Sequence, residues 1–219
     1  MLVHALKSAK DRAKLVHCMH ILNQIGVAVH AYGADRGTYV PVSGSNEPPW
    51  FAALSPYLGR SGLGDYTNGV WINVSPIVRC PASAYSPTNM TPTYSGHGRV
   101  LWLALSPLPE RRLFPSADRP AEVMMLADGT QMDLTYPSPA YRYASFPYFA
   151  NIPECMVNYN SATANNLLAT GPDADGPSAN VGYVRWRHQN KANFLFCDGH
   201  VENISKDRFH ERYVKTFAP

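Results

Sequence analysis

A short hairpin near the C-terminus constrains this chain more than any other stretch. It lies within Arg185-Trp-Arg-His-Gln-Asn-Lys-Ala-Asn-Phe-Leu-Phe-Cys-Asp-Gly-His-Val-Glu-Asn-Ile204. Ala192 to Cys197 is a short, mostly apolar run with aromatic weight, which predicts a strand. Asp198-Gly199 suits a two-residue turn, because both positions tolerate positive φ. His200 to Ile204 alternates in polarity and predicts the returning strand. A second apolar run, Val123 to Ala127, also ends in Asp-Gly, at Asp128-Gly129. Two strands ending alike are expected to be adjacent antiparallel neighbours in one sheet.

The N-terminal region has a different period. The chain carries 19 prolines and 15 glycines, which argues for a loop-rich middle and against a helical bundle. Yet Val3 to Asp35 holds no proline, and Gly26 is its first glycine. Leu15, Cys18, Leu22, Ile25, Val29 and Tyr32 recur at helical spacing and predict one apolar face. At about 1.5 Å per residue, such a helix runs roughly 45–50 Å. The stripe is weak before Ala13, so the first turns are expected to project without a partner. Gly33 and Gly37 supply the exit. Trp50 to Leu58 predicts a short helix broken around Pro56. Val70–Ile72, Ile77–Arg79 and Arg99–Leu105 read as short strands, and Lys206–Phe217 as a terminal helix. Thr130 to Asn180 has little periodicity and reads as an insertion. The expected class is α+β: a long N-terminal helix, residues 1–36, packed on a small antiparallel sheet within a head spanning 37–219, with the loop-rich insertion at about 130–180.

Several function classes find no support. A net charge of +3 is too small to imply nucleic acid. Five of the 19 Lys/Arg, Lys7, Lys10, Arg12, Lys14 and Arg36, fall on the predicted helix. No run of eighteen apolar residues is present to span a bilayer, and there is no secretory h-region. A phosphate loop, a G-x-S-x-G elbow and an H-E-x-x-H helix are all missing, so the chain does not read as an enzyme.

The spacing from His188 to Asp198-Gly199, nine intervening residues, resembles the H-X9-DG signature of the bacterial prepilin-type (processing-associated) family. Cys18-Met-His-Ile-Leu-Asn-Gln-Ile-Gly-Val-Ala-Val-His-Ala-Tyr32 resembles the second half of that family's opening helix. Tyr39-Val-Pro41, Trp50 with Leu54-Ser-Pro-Tyr-Leu58, and Arg79-Cys-Pro81 follow in the same order. The likeness is dense over 5–58 and 185–204 and thin between about 130 and 180. It implies a pilin-like fold and a structural role, as a pseudopilin or pilin subunit of a type II secretion or type IV pilus-like system. It also implies a hydrophobic segment ahead of Met1 that anchors the protein in the inner membrane, with a periplasmic or extracellular head. Like subunits would be the partners, meeting through the N-terminal helix. Cys18 and Cys80 fall in family-like segments expected to pack together, which makes them the favoured pair for a disulfide; Cys155–Cys197 is less favoured.

Read as chemistry, the motif residues leave alternatives open. His188, Asp198 and His200 have the ligand types of a metal-dependent hydrolase, but Asp198 shaping the turn and His188 fixing the hairpin by a local hydrogen bond is the preferred account. No cofactor is expected, with one reservation: Asp173 and Asp175 offer loop oxygens of the kind calcium takes, although the run lacks the remaining acids of an EF-hand. His17 and His20 read as exposed helix residues. The aromatic-rich region 136–187 offers the alternative of a surface module that recognises carbohydrate or protein.

Overall fold

The computed structural model describes residues 2–37, 40–43, 48–62, 65–67, 70–72, 74–84, 92–98, 100–103, 119–132, 145, 149, 173–176 and 182–214. Helix α1 spans Leu2–Arg36, a length of about 52 Å at ~1.5 Å per residue. Its buried residues are Cys18, Ile21, Leu22, Ile25, Gly26, Ala28 and Val29, so Ile21 and Ala28 widen the expected stripe. Leu15 and Tyr32, at its two ends, are only half-buried. The helix therefore has two regimes. Its C-terminal half packs on the sheet, while Leu2, Val3 and Leu6 stay 85%, 78% and 71% exposed. No helix among the described residues is long and apolar enough to cross a membrane.

Strands β1 (Pro41–Ser43), β2 (Asp65–Thr67), β3 (Val70–Ile72), β4 (Tyr94–Gly96), β5 (Trp102–Leu103), β6 (Met124–Asp128), β7 (Lys191–Phe196) and β8 (Val201–Ser205) follow. The main sheet has the order β4-β6-β7-β8 and is antiparallel throughout. The α+β expectation holds at this level, and the two Asp-Gly strands, β6 and β7, are indeed antiparallel neighbours. β2–β3 form a separate antiparallel pair, and β1–β5 a parallel one.

Both faces of the main sheet are covered. Leu195 and Cys197 of the hairpin pack with Leu22, Ile25 and Val29 of α1. On the other face Ala192, Phe194 and Phe196 meet Trp186, Phe209, Tyr213 and Val214. Alternation along β7 thus divides its apolar residues between two cores. In β6 the register slips between Met124 and Leu126, a bulge that puts both Met125 and Leu126 on the α1 side. Gly26 lets α1 approach the hairpin closely: a Cβ there would lie 2.9 Å from Leu195 Cδ1.

Four local expectations are corrected. Pro76–Val78 forms a 3-10 turn instead of a strand, with Pro76 at its first position, where the fixed φ of proline suits a helical turn. Within the expected strand Arg99–Leu105, residues 100–101 turn and Trp102–Leu103 is extended; 99, 104 and 105 lie outside the described residues. The terminal helix is replaced by two 3-10 turns, Lys206–Arg208 and Glu211–Tyr213, because Phe209, Tyr213 and Val214 are all drawn onto the sheet. The hairpin loop has three residues, not two: Gly199 N–H donates to Phe196 O and Phe196 N–H to His200 O. Gly199 alone of the Asp-Gly pair has positive φ, at 93°, the geometry of a type I turn closed by a glycine bulge. As expected, Trp50–Ala53 is helical (α2) and Ser55–Leu58 continues as a 3-10 turn with Pro56 inside it. Most of the 130–180 insertion lies outside the described residues.

Candidate functional site

The site is built where the lead-in to β7, the end of β6 and the middle of α1 converge. Gln189 and Asn190 have φ of 55° and 63°, and His188 and Lys191 exchange backbone hydrogen bonds across them. This is the two-residue turn with positive φ at both central positions, and it precedes β7. It folds Arg187 and His188 back toward β6, where Asp128 ends the neighbouring strand.

Asp128 is completely buried and is the hub of the site. Its Oδ1 lies 3.5 Å from Arg187 Nε and its Oδ2 3.5 Å from His188 Nε2. Oδ2 also accepts a 3.0 Å hydrogen bond from Asn193 N–H. Burial pushes the Asp128 carboxyl above the usual carboxylate range, against the pull of Arg187, His188, Asn193 and Arg185. Arg187 is held further by Gln131 Oε1, at 3.0 Å, and by the Gly129 carbonyl. Burial lowers the His188 pKa, with Asp128 opposing and Arg187 and Lys14 adding to the fall, so the imidazole is neutral at pH 7.

The same His188 Nε2 lies 3.4 Å from Cys80 Sγ. Cys80 is bonded to Cys18 with a Cα–Cα distance of 5.1 Å, which bears out the favoured disulfide and ties α1 to the segment leading into β4. Thr93 Oγ1 accepts a 2.7 Å hydrogen bond from Cys80 N–H and fixes the cysteine against the strand edge. Ala82 N–H points at Cys80 Sγ, at 3.4 Å. Cys18 Sγ, Cys80 Sγ and His188 form a buried group whose donor atoms all lie within 4.8 Å of one another. A cavity of about 160 Å³ opens beside it, with Arg12, Lys14, Leu15, Ala82, Arg187 and His188 in its lining.

The other motif residues lie elsewhere. His188 and Asp198 stand before and after β7, whose six residues extend about 20 Å at ~3.3 Å each. The cluster of His188 with Asp198 and His200 is therefore not assembled. Asp198 Oδ1 instead accepts from His200 N–H at 3.1 Å and pairs with His200 Nδ1 at 2.6 Å, shaping the turn as expected. The local hydrogen bond expected of the His188 ring is replaced by the reach to Cys80, 108 residues away. Gly199 faces His30 of α1: a Cβ on it would lie 3.3 Å from the ring Nε2.

Asp173 and Asp175 share a resident cation. Arg185 meets Asp173 Oδ1 at 2.7 Å and Asp175 Oδ1 at 3.3 Å, while Trp186 N–H and Gln131 N–H donate to the same two oxygens. A calcium ion here would have to displace a guanidinium and two backbone donors. Cys197 is a buried free thiol, so it forms no bridge to Cys155, which lies outside the described residues. His17 and His20 are exposed on α1. Of the aromatic-rich stretch, Phe149 and Trp186 are core residues; most of the remainder lies outside the described residues.

Asp128 and Arg187 are the participants that sequence reasoning missed, while Cys80 was expected as the disulfide partner of Cys18 and not as a neighbour of His188. Asp128 was detectable as the end of the strand expected beside β7. Comparison with protein-family models, with curated proteins and with solved structures yields no match to this chain.

Proposed function

We propose that this chain is the head, with the adjoining helix, of a pilin-like or pseudopilin subunit. In this reading it is anchored in the inner membrane by a preceding apolar segment and carries its head in the periplasm or outside the cell. The observation that carries the reading is the division of α1. Seven residues from Cys18 to Val29 are buried on the sheet side, while Leu2, Val3 and Leu6 are left exposed in a helix of 35 residues. An amphipathic helix that served only its own core would place its apolar residues over that core along its length. Exposed leucines on a projecting half suit packing against the same helix of other subunits, and head-to-tail repetition of one such contact builds a filament. The H-X9-DG hairpin supports the reading through its place in the fold, since its turn is seated against His30 of the same helix.

The test is the intact mass and N-terminal sequence of the native protein extracted from membranes. The reading expects a processed end followed by about twenty apolar residues, enough to span a bilayer. A native protein that begins at Met1 and stays in the soluble fraction refutes it.

A further inference from the structure

We propose that the Cys18–Cys80 bridge and a thiophilic divalent metal ion are alternative occupants of one buried site, with Cys18 Sγ, Cys80 Sγ and His188 Nε2 as ligands to Zn²⁺ once the bridge is reduced. The inference is independent of the filament reading. It rests on three donors of the type zinc prefers, brought together from α1, from the segment before β4 and from the lead-in to β7.

The donors lie close enough for the ion once reduction lets the two bonded sulfurs part. Tetrahedral zinc, with Zn–S near ~2.3 Å and Zn–N near ~2.0 Å, spreads its donors by about 3.5–3.8 Å. The donor atoms here lie within 4.8 Å of one another, and Cys80 Sγ is 3.4 Å from His188 Nε2. Ala82 N–H, aimed at Cys80 Sγ, is a donor that favours negative charge on that sulfur. The adjoining cavity has room for a water as the fourth ligand, while Asp128 Oδ2, 3.5 Å from the same imidazole nitrogen, stays hydrogen-bonded to Asn193 N–H outside the donor group. Two thiolates neutralise the ion, which makes its burial tolerable.

The chemistry balances in two steps. A dithiol reductant gives two electrons and two protons to the bridge, forming two thiols and becoming a disulfide itself. Zn²⁺ then binds both sulfurs as thiolates, and two protons leave to solvent. The bonds exclude each other, because a sulfur joined to its partner has no thiolate to offer.

The full chain is reduced with a dithiol under anaerobic conditions, freed of reductant, and titrated with Co²⁺ as the probe. Sulfur-to-cobalt charge-transfer absorption and displacement by Zn²⁺ are the readouts. The expected result is one equivalent bound by the reduced chain and none by the oxidised chain. His188→Ala should weaken binding at least tenfold, and bound zinc should retard re-formation of the bridge in air. A reduced chain that keeps its native circular dichroism but takes up no cobalt overturns the proposal, as does uptake unaffected by Cys18→Ser. If reduction unfolds the chain, zinc must restore the native circular dichroism; failure to do so is equally decisive against the site.

Discussion

Replacing both bridging cysteines, Cys18→Ala with Cys80→Ala, is the perturbation whose size can be worked most directly. The bridge spans 62 residues of sequence and joins α1 to the edge of the sheet. Closing a loop of that length in the unfolded chain removes entropy worth about 4 kcal/mol at 25 °C. For a chain of this size, each kcal/mol moves the melting temperature by roughly 2–4 °C, so a fall of about 8–16 °C is expected. Urea denaturation followed by circular dichroism, on oxidised wild type and on the double variant, measures both stability and its denaturant dependence. The loss lies in the unfolded state, whose entropy the bridge restricts. Hence the variant should also show a steeper dependence, because its unlinked chain exposes more surface on unfolding. A melting temperature within about 2 °C of wild type would refute the estimate. A loss of ~4 kcal/mol with unchanged denaturant dependence would leave the bridge in place but refute its assignment to unfolded-state entropy.

Asp128→Asn should cost about 3–5 kcal/mol, since it leaves Arg187 buried without its counter-charge. Adding Arg187→Met should recover part of that loss in a double-mutant cycle, and strict additivity would show that the two are not coupled. Gly26→Leu should destabilise by about 1–3 kcal/mol by overpacking against Leu195, measurable in urea; Gly26→Ala should be close to neutral, because its gain in helix propensity offsets a shift of the Leu195 methyl. Burial pushes the Cys197 thiol up to about 12. Peptide mapping after alkylation at pH ~8 should therefore find Cys197 unmodified in the native protein and modified in denaturant. His188 has a lowered folded pKa, so below about 6.5 the unfolded state binds more protons and stability falls as pH falls through the folded value. Asp128 acts oppositely: its raised folded pKa contributes stability below about 3.9 that is lost as pH rises through the folded value. Melting of His188→Gln should accordingly vary less with pH just below ~6.5 than wild type; an identical slope would exclude His188 as its source.

How far the sequence disclosed these features depended on how local each one was. The 3-4 spacing from Leu15 to Tyr32 identified the α1 face because helical period is a property of neighbouring residues; Ile21 and Ala28 were added by a sheet broad enough to cover a wider face. Asp198-Gly199 was ambiguous, since a two-residue turn and a three-residue loop with a glycine bulge favour the same dipeptide. The actual two-residue turn, at Gln189-Asn190, was concealed because glutamine is an uncommon choice for positive φ. The site itself is non-local. Looking along the chain, Asp198 was the carboxylate to match with His188, yet an extended strand separates the ends it joins. Antiparallel pairing does the reverse: it sets the end of β6 beside the start of β7, which is why Asn193 N–H reaches Asp128 across 65 residues. The sequence does imply that the two Asp-Gly strands are neighbours. Following that adjacency to its consequence would have assigned the buried carboxylate to Asp128 and left Asp198 to the turn. Cys80 was accessible only through the resemblance, because no period or turn rule relates residue 80 to residue 188. A strand pairing inferred from sequence is thus also a statement about which side chains share a site, and in this fold it outweighs the spacing within the motif.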